Sequence, residues 1–548
     1  MKLKKNTFIQ GAFIATLGIV ISKILGIIYV IPFRAFVGKE GGALYGYAYS
    51  IYAIFLAISQ AGVPMAMSRL ISEYNTLGYY GDKEKIFKVG RTFLNILGII
   101  SFLVLMIFAP VFANMIKGGV EGGNSLEDIT LVIRIISFAV LVVPILSVSR
   151  GYLQGHRFIS PTSISQVIEQ IVRVTIIIVG SFICARMLHL SVVVSVGCAV
   201  AAATVGAVCS YVYLLIKIKK NKSELNTESV CEEPTLSTGK ILKMIFIYAL
   251  PLILIELFRS IFNTIDVVTL VKTLVHDFSF VANDAEYVLS IITTWGSKLN
   301  NIIVSIVAGL MTSLIPNLTR SIVKNDKKDI NEKINQTYEI ILGIALPMAI
   351  GLSFLTPLVW NVFYGLTPND LGPVTYQILV FIAFATTLFS ASMTITQLLK
   401  EYKYVVAGLI FGFLFKLCLN IPMMHLFNHF GIAPFYGAIS TSILAFITTS
   451  MLVLTIMIKK YKLNLKPTLK VFKNIILGVI LMLVVMFVMK IILPFNLDNR
   501  MMSLVLAGIY AAAGGLIYVF FMYFTKTIHA IFGREAVNNI INKIKKRK

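Results

Sequence analysis

Eight cations fall inside long apolar runs of this 548-residue chain: Lys23, Arg34, Arg134, Arg173, Arg259, Lys298, Lys416 and Lys490. Three acids, Glu169, Glu256 and Asp266, fall there too. Charge at hydrocarbon depth is costly unless it is paired or faces a wet cavity. Gln166-x-x-Glu169-Gln170-x-x-Arg173 sets an acid and a base four apart on one helix face, as an intrahelical pair would be. Glu256 and Arg259 share a face in the same way. Arg34 reads either as a cavity group or as a side chain reaching for outer headgroups, whereas Arg134 and Lys490 read as interfacial anchors. Lys23, Arg259 and Lys298 (the last beside Asn300 and Asn301) outnumber the acids near them. Such a cation-lined cavity suits an anion, with a diphosphate as the membrane-borne form. Arg34, Glu169, Arg173, Glu256, Asp266 and Lys416 are further candidates for lining the cavity or for coupling. An acidic pocket of Glu169, Glu256 and Asp266 would instead suit cation or multidrug antiport, and the cationic excess argues against it.

The elements that must position these groups are membrane helices. The chain is 57% hydrophobic and 14% charged, far from a water-soluble composition. Fourteen apolar runs, starting near residues 12, 44, 90, 129, 163, 190, 241, 285, 338, 372, 404, 431, 471 and 502, approach the roughly 20 residues needed to cross a bilayer. The alternate connections that would be cytoplasmic hold 36 Lys and Arg, and those on the other side hold five. That bias predicts a plasma-membrane protein with both termini in the cytoplasm. The net charge of +24 therefore reflects topology and attraction to anionic lipid, not nucleic-acid binding. Met1 to Lys5 starts like a signal peptide, but the apolar run behind it reaches about residue 37, too long for one.

The chain repeats at an offset near 250. Pro64 and Arg69 answer Pro316 and Arg320, and Ala109-Pro110-x-x-x-Asn114 answers Thr356-Pro357-x-x-x-Asn361. Leu153-Gln154-Gly155-His156-Arg157 answers Leu399-Lys400-Glu401-Tyr402-Lys403. Six spans per unit give a parallel pseudo-repeat, one of the designs of secondary transporters. The expected fold is an all-α polytopic membrane protein with two six-helix lobes, residues 1–220 and, after a polar linker, 221–465. Two extra spans (466–526) and a basic, amphipathic cytoplasmic tail (527–548) follow. Pro32, in the first span, is a candidate hinge. No Walker loop or other enzyme signature is present, so neither enzymatic activity nor a cofactor is expected. The six histidines form no ligand cluster, so no metal site is expected. None of the five cysteines has metal-ligand spacing or an evident disulfide partner, and they read as packing residues.

The stretch Arg150-Gly151-Tyr152-Leu153-Gln154-Gly155, continued by Pro161-Thr162-Ser163-Ile164-Ser165-Gln166-Val167-Ile168-Glu169-Gln170-Ile171-Val172-Arg173, resembles the polysaccharide-transporter branch of the MOP (multidrug/oligosaccharidyl-lipid/polysaccharide) superfamily. More narrowly it is similar to the stage V sporulation protein B and YtgP group, near the MurJ-like lipid II flippases. The resemblance covers essentially the whole chain. It implies a flippase carrying an undecaprenyl-diphosphate-linked glycan between leaflets, with lipid II as the cargo and capsule or teichoic-acid units as the alternative; a non-transporting scaffold is the bland reading. Cell-wall synthesis proteins are the partners it implies. Ser22-Lys23-Ile24-Leu25-Gly26 resembles the family's Ser-Arg-Val-Leu-Gly, so Lys23 stands where the family has a functionally important arginine. Trp295-Gly296-Ser297-Lys298-Leu299 resembles, less closely, the stretch bearing another. Both are Lys here, keeping charge but losing the bidentate fork. The family's second helix 1 arginine falls near Tyr29, and its helix 2 arginine has no clear match. The resemblance also implies a groove for the polyprenyl tail beside spans 13 and 14.

Overall fold

A computed structural model describes residues 14, 18, 21–60, 62–221, 223–225 and 234–532. Cys231, residues 226–233 of the linker, most of the apolar run before Ile21 and the tail beyond residue 532 lie outside them. The chain forms two compact units, Met1–Trp295 and Gly296–Lys548.

Every described element is helical. The first unit contains α1 (residues 21–28), α2 (Val30–Gln60), α3 (Val63–Thr76), α4 (Tyr80–Lys117), α5 (Leu126–Gly155) and α6 (Ile159–Phe182), the last ending in a π turn, Ile183–Met187. It continues with α7 (Val192–Lys220), α8 (Thr238–His276) and α9 (Ala282–Ser290), which runs into a second π turn, Ile291–Trp295. The second unit contains α10 (Gly296–Val323), α11 (Lys327–Tyr364), α12 (Leu371–Leu379), α13 (Phe381–Leu398) and α14 (Tyr402–His429). It ends with α15 (Phe435–Tyr461), α16 (Lys466–Ile492), α17 (Arg500–Phe524) and the short α18 (Thr527–Phe532). Among the described residues, 12 helical stretches are long and apolar enough to cross a membrane. They coincide with expected spans 2–7 and 9–14. Span 1 runs into residues outside the described set, and span 8 is α9, its π turn and α10 in succession. The protein is a multi-pass membrane protein.

Local chemistry sets the breaks. Helical geometry lapses at Tyr29, next to Ile28, whose carbonyl has no N–H to receive from Pro32 four residues on. Inside α2, Gly38 adopts φ 66° and ψ −161°, a region open to glycine, and turns span 1 into span 2. Ser125 and Asp128 cap α5 with a reciprocal capping box.

Several helices end in one turn geometry. After α5, Phe158 N bonds to Leu153 O while Arg157 holds φ 64°. After α13, Glu401 N bonds to Thr396 O while Lys400 holds φ 61°. The same left-handed close also ends α3, α10, α14 and α15, so it is the ordinary way these helices stop.

In the first unit Val63, Met67, Leu70, Leu146, Leu153 and Ile245 form a buried core under α3, α4, α5 and α8. Part of the linker is anchored to α4, where Asp82 accepts from Thr235 Oγ1 at 2.6 Å and from Leu236 N at 2.8 Å. Lys83, fully buried, donates to Leu225 O at 2.6 Å. In the second unit Leu358, Ile475, Met486, Leu506 and Tyr510 join α11, α16 and α17.

Candidate cation-lined transport site

Arg173, Arg259 and Lys416 each lie within a turn of the midpoint of a membrane helix: Ile159–Met187, Thr238–His276 and Tyr402–His429. They are therefore deep charges, and each has its own answer to the cost of that depth.

Lys23 and Arg259 belong together. Both are half-buried, and the Arg259 charge acts directly on Lys23. Arg259 Nη1 lies 3.7 Å from Glu256 Oε1, with side chains 39% and 45% exposed. One exposed carboxylate at that distance neutralises little, so the pair keeps a net positive field that an anion would relieve. Lys298 lies in the first turn of α10, at the start of the second unit.

Glu169 is held from both sides. Arg173 Nη2 reaches Glu169 Oε1 at 2.8 Å, the expected i,i+4 pair, and Arg150 Nη2 reaches Oε2 at 2.8 Å. Arg150 also donates to Ser165 Oγ and to Ser210 Oγ, each at 3.0 Å. Arg150 thus ties α5, α6 and α7. Arg150 had no role assigned from its sequence, and its separation of 19 positions from Glu169 exceeds any helical period.

Arg34 is 7% exposed and sits in an aromatic box. It donates to Tyr287 Oη at 2.8 Å, and its guanidinium carbon lies 5.1 Å and 5.3 Å from the ring centres of Tyr287 and Trp295. Beside it Glu286 accepts from Asn124 Nδ2 at 2.7 Å, Asn124 N at 3.0 Å and Tyr47 Oη at 3.2 Å. Glu286 and this network, missed in the sequence, join α2, α9 and the loop before α5 through contacts more than 160 residues apart. Asp266, 4% exposed, lies within α8, and Lys416, fully buried, donates to Ser442 Oγ in the second unit. Cys184 and Cys198, for which no partner was expected, place their sulfurs 3.4 Å apart, because the π turn after α6 brings Cys184 against α7. Both are free thiols.

An apolar groove of about 410 Å3 runs between α11, α16 and α17, bordered by Gly343, Pro347, Met482, Met486 and Gly514. Charged groups near helix midpoints and an apolar groove in the second unit are set in a multi-pass membrane protein.

The chain belongs to the polysaccharide biosynthesis protein family, whose model matches residues 8–322. It is 34% identical over 547 residues to the lipid II flippase MurJ of Bacillus subtilis (strain 168), covering 97% of both chains. It is 28% identical over 221 residues to stage V sporulation protein B of the same organism, covering 40% of this chain and 41% of that one. Its fold matches the solved lipid II flippase MurJ in an inward closed conformation with a TM-score of 0.64 at 15% identity, covering 94% and 99% of the two chains. An inward-facing multidrug resistance MATE family transporter of the MOP superfamily matches with a TM-score of 0.65 at 14% identity, covering 82% and 98%.

Proposed function

We propose that this protein is a flippase that moves lipid II, an undecaprenyl-diphosphate-linked cell-wall precursor, from the inner to the outer leaflet of a bacterial plasma membrane. The observation that carries the reading is Arg259 near the midpoint of α8, matched only by the half-exposed Glu256 at 3.7 Å, in a chain alike over nearly its full length to a lipid II flippase. Lys23, Arg259 and Lys298 hold the diphosphate through charge-assisted bonds. The groove between α11, α16 and α17 takes the polyprenyl tail. The six-span lobes, residues 1–220 and 221–465, rock around the bound headgroup in alternating access, with the first span bending at Pro32. Residues 466–526 carry the groove, and residues 527–548 rest on anionic lipid at the cytoplasmic face, where both termini lie. Energy comes from the membrane potential or an ion gradient. Cell-wall synthesis proteins that supply or consume the cargo are the partners, meeting short loops or helix faces.

Lipid II exposure on the outer leaflet, in cells where this chain is the sole flippase, tests the reading. Exposure should collapse on depletion and in Lys23→Ala and Lys298→Ala. Exposure that persists on depletion moves the cargo to another lipid-linked glycan. Normal exposure in both variants removes the assigned site.

A further inference from the structure

We infer that the basic end of the second unit carries a headgroup site for a resident membrane phospholipid, distinct from the Lys23 and Arg259 pair. A cavity of about 550 Å3 opens between the first turns of α11 and α16 and the turn joining α17 to α18, a size typical of small-ligand sites. Lys333 on α11, Lys470 on α16 and Lys526 in the turn border it. The turn is fixed in place: Lys526 holds φ 55°, Asn474 Nδ2 donates to Thr527 Oγ1 at 2.9 Å, and Gln336 Nε2 donates to Ile531 O at 3.0 Å.

At the inner wall Asn335 and Glu339, 4% and 5% exposed, both border the cavity. Thr468 Oγ1 donates to Asn335 Oδ1 at 2.6 Å and lies 3.4 Å from Glu339 Oε1. A carboxylate accepts about four hydrogen bonds, so one long hydroxyl contact leaves Glu339 able to take a donor from the cavity. The three lysines against Glu332 and Glu339 leave the lining one charge positive, the complement of one phosphodiester. A phosphodiester headgroup that also bears donors, ethanolamine or glycerol, fits both halves of the lining, and choline, with no donor, does not.

Placement supports an amphiphile. Gly343, one helical turn along α11 from Glu339, borders the apolar groove, and α16 and α17 reach both cavities. The headgroup pocket therefore opens about 6 Å along α11 from apolar surface, at the edge of the hydrocarbon.

The test titrates the full-length protein in detergent with phosphatidylethanolamine, phosphatidylglycerol, phosphatidylcholine, undecaprenyl diphosphate and inorganic phosphate, counting retained ligand by native mass spectrometry. Phosphatidylethanolamine or phosphatidylglycerol should be retained, with phosphatidylcholine about tenfold weaker for want of a donor to a charged acceptor. Lys470→Gln with Lys526→Gln should weaken retention by about fivefold per lysine. Lys327→Gln with Lys328→Gln, the same charge removed from exposed positions, should leave it unchanged. Glu339→Gln should lower ethanolamine retention relative to glycerol, and this arm decides the matter if the double lysine variant fails to fold. Equal retention of phosphatidylcholine, an equal loss in the exposed control, or pocket variants that bind normally would overturn the inference. So would retention of inorganic phosphate or undecaprenyl diphosphate with no phospholipid.

Discussion

Arg34 Nη2 donates to Tyr287 Oη at 2.8 Å, joining positions 253 apart in the chain. The guanidinium is buried between Tyr287 and Trp295, so the hydrogen bond is charge-assisted and shielded from water. Tyr287→Phe removes that bond and little volume. It should cost about 1.5–3 kcal/mol, the range for bonds to charged groups, read as faster hydrogen exchange across α2 and α9.

Glu169 balances two arginines from different helices. Glu169→Gln leaves both buried cations short of a counter-charge and should destabilise the fold by about 3–5 kcal/mol, seen as a lower melting temperature in detergent. Arg150→Lys should rescue only part of an Arg150→Ala loss. An ammonium cannot span Glu169, Ser165 and Ser210 with fixed geometry.

Gly42 packs directly against Trp295. A Cβ at Gly42 would lie 2.3 Å from the indole Nε1, the close approach that small residues permit between membrane helices. Gly42→Val should cost about 1–3 kcal/mol or more by overpacking. Trp295→Ala should recover much of that loss, so melting temperatures of the two single variants and the double would not add.

Transport should follow charge at position 23. Lys23→Ala should lower flipping by about 10–100-fold if the side chain makes one charge-assisted bond to the diphosphate. Lys23→Arg should retain activity, since the guanidinium keeps the charge and adds a bidentate fork. Initial rates in vesicles loaded with labelled lipid II would separate the two.

Acid should loosen the α13–α14 turn. Lys460 and Tyr461 both donate to Glu401, and the Lys460 bond holds its carboxyl below the ordinary value of 4.5. A lowered carboxyl stabilises the folded state fully above its ordinary value and loses that contribution as pH falls through the lowered one. Wild type should therefore exceed Glu401→Gln in melting temperature at pH 7, and the gap should close below about pH 4.5.

Much of the architecture was legible because the bilayer imposes it. Twenty-residue apolar runs register in any reading of the sequence, and 12 of the expected spans are helices of spanning length among the described residues. The Glu169 and Arg173 pair was equally legible, since helical spacing sets two side chains four apart on one face.

The sequence by itself determined what is local or periodic: helical class, the places of the spans, the segregation of Lys and Arg, and which charges enter the membrane. Tertiary structure alone decided which of those charges meet. Arg150 closing on Glu169, Glu286 receiving Tyr47 and Asn124, and Cys184 beside Cys198 all depend on how separate helices pack. No periodicity within one helix encodes a neighbour on another. That information resides in the small residues and turns that set helix against helix.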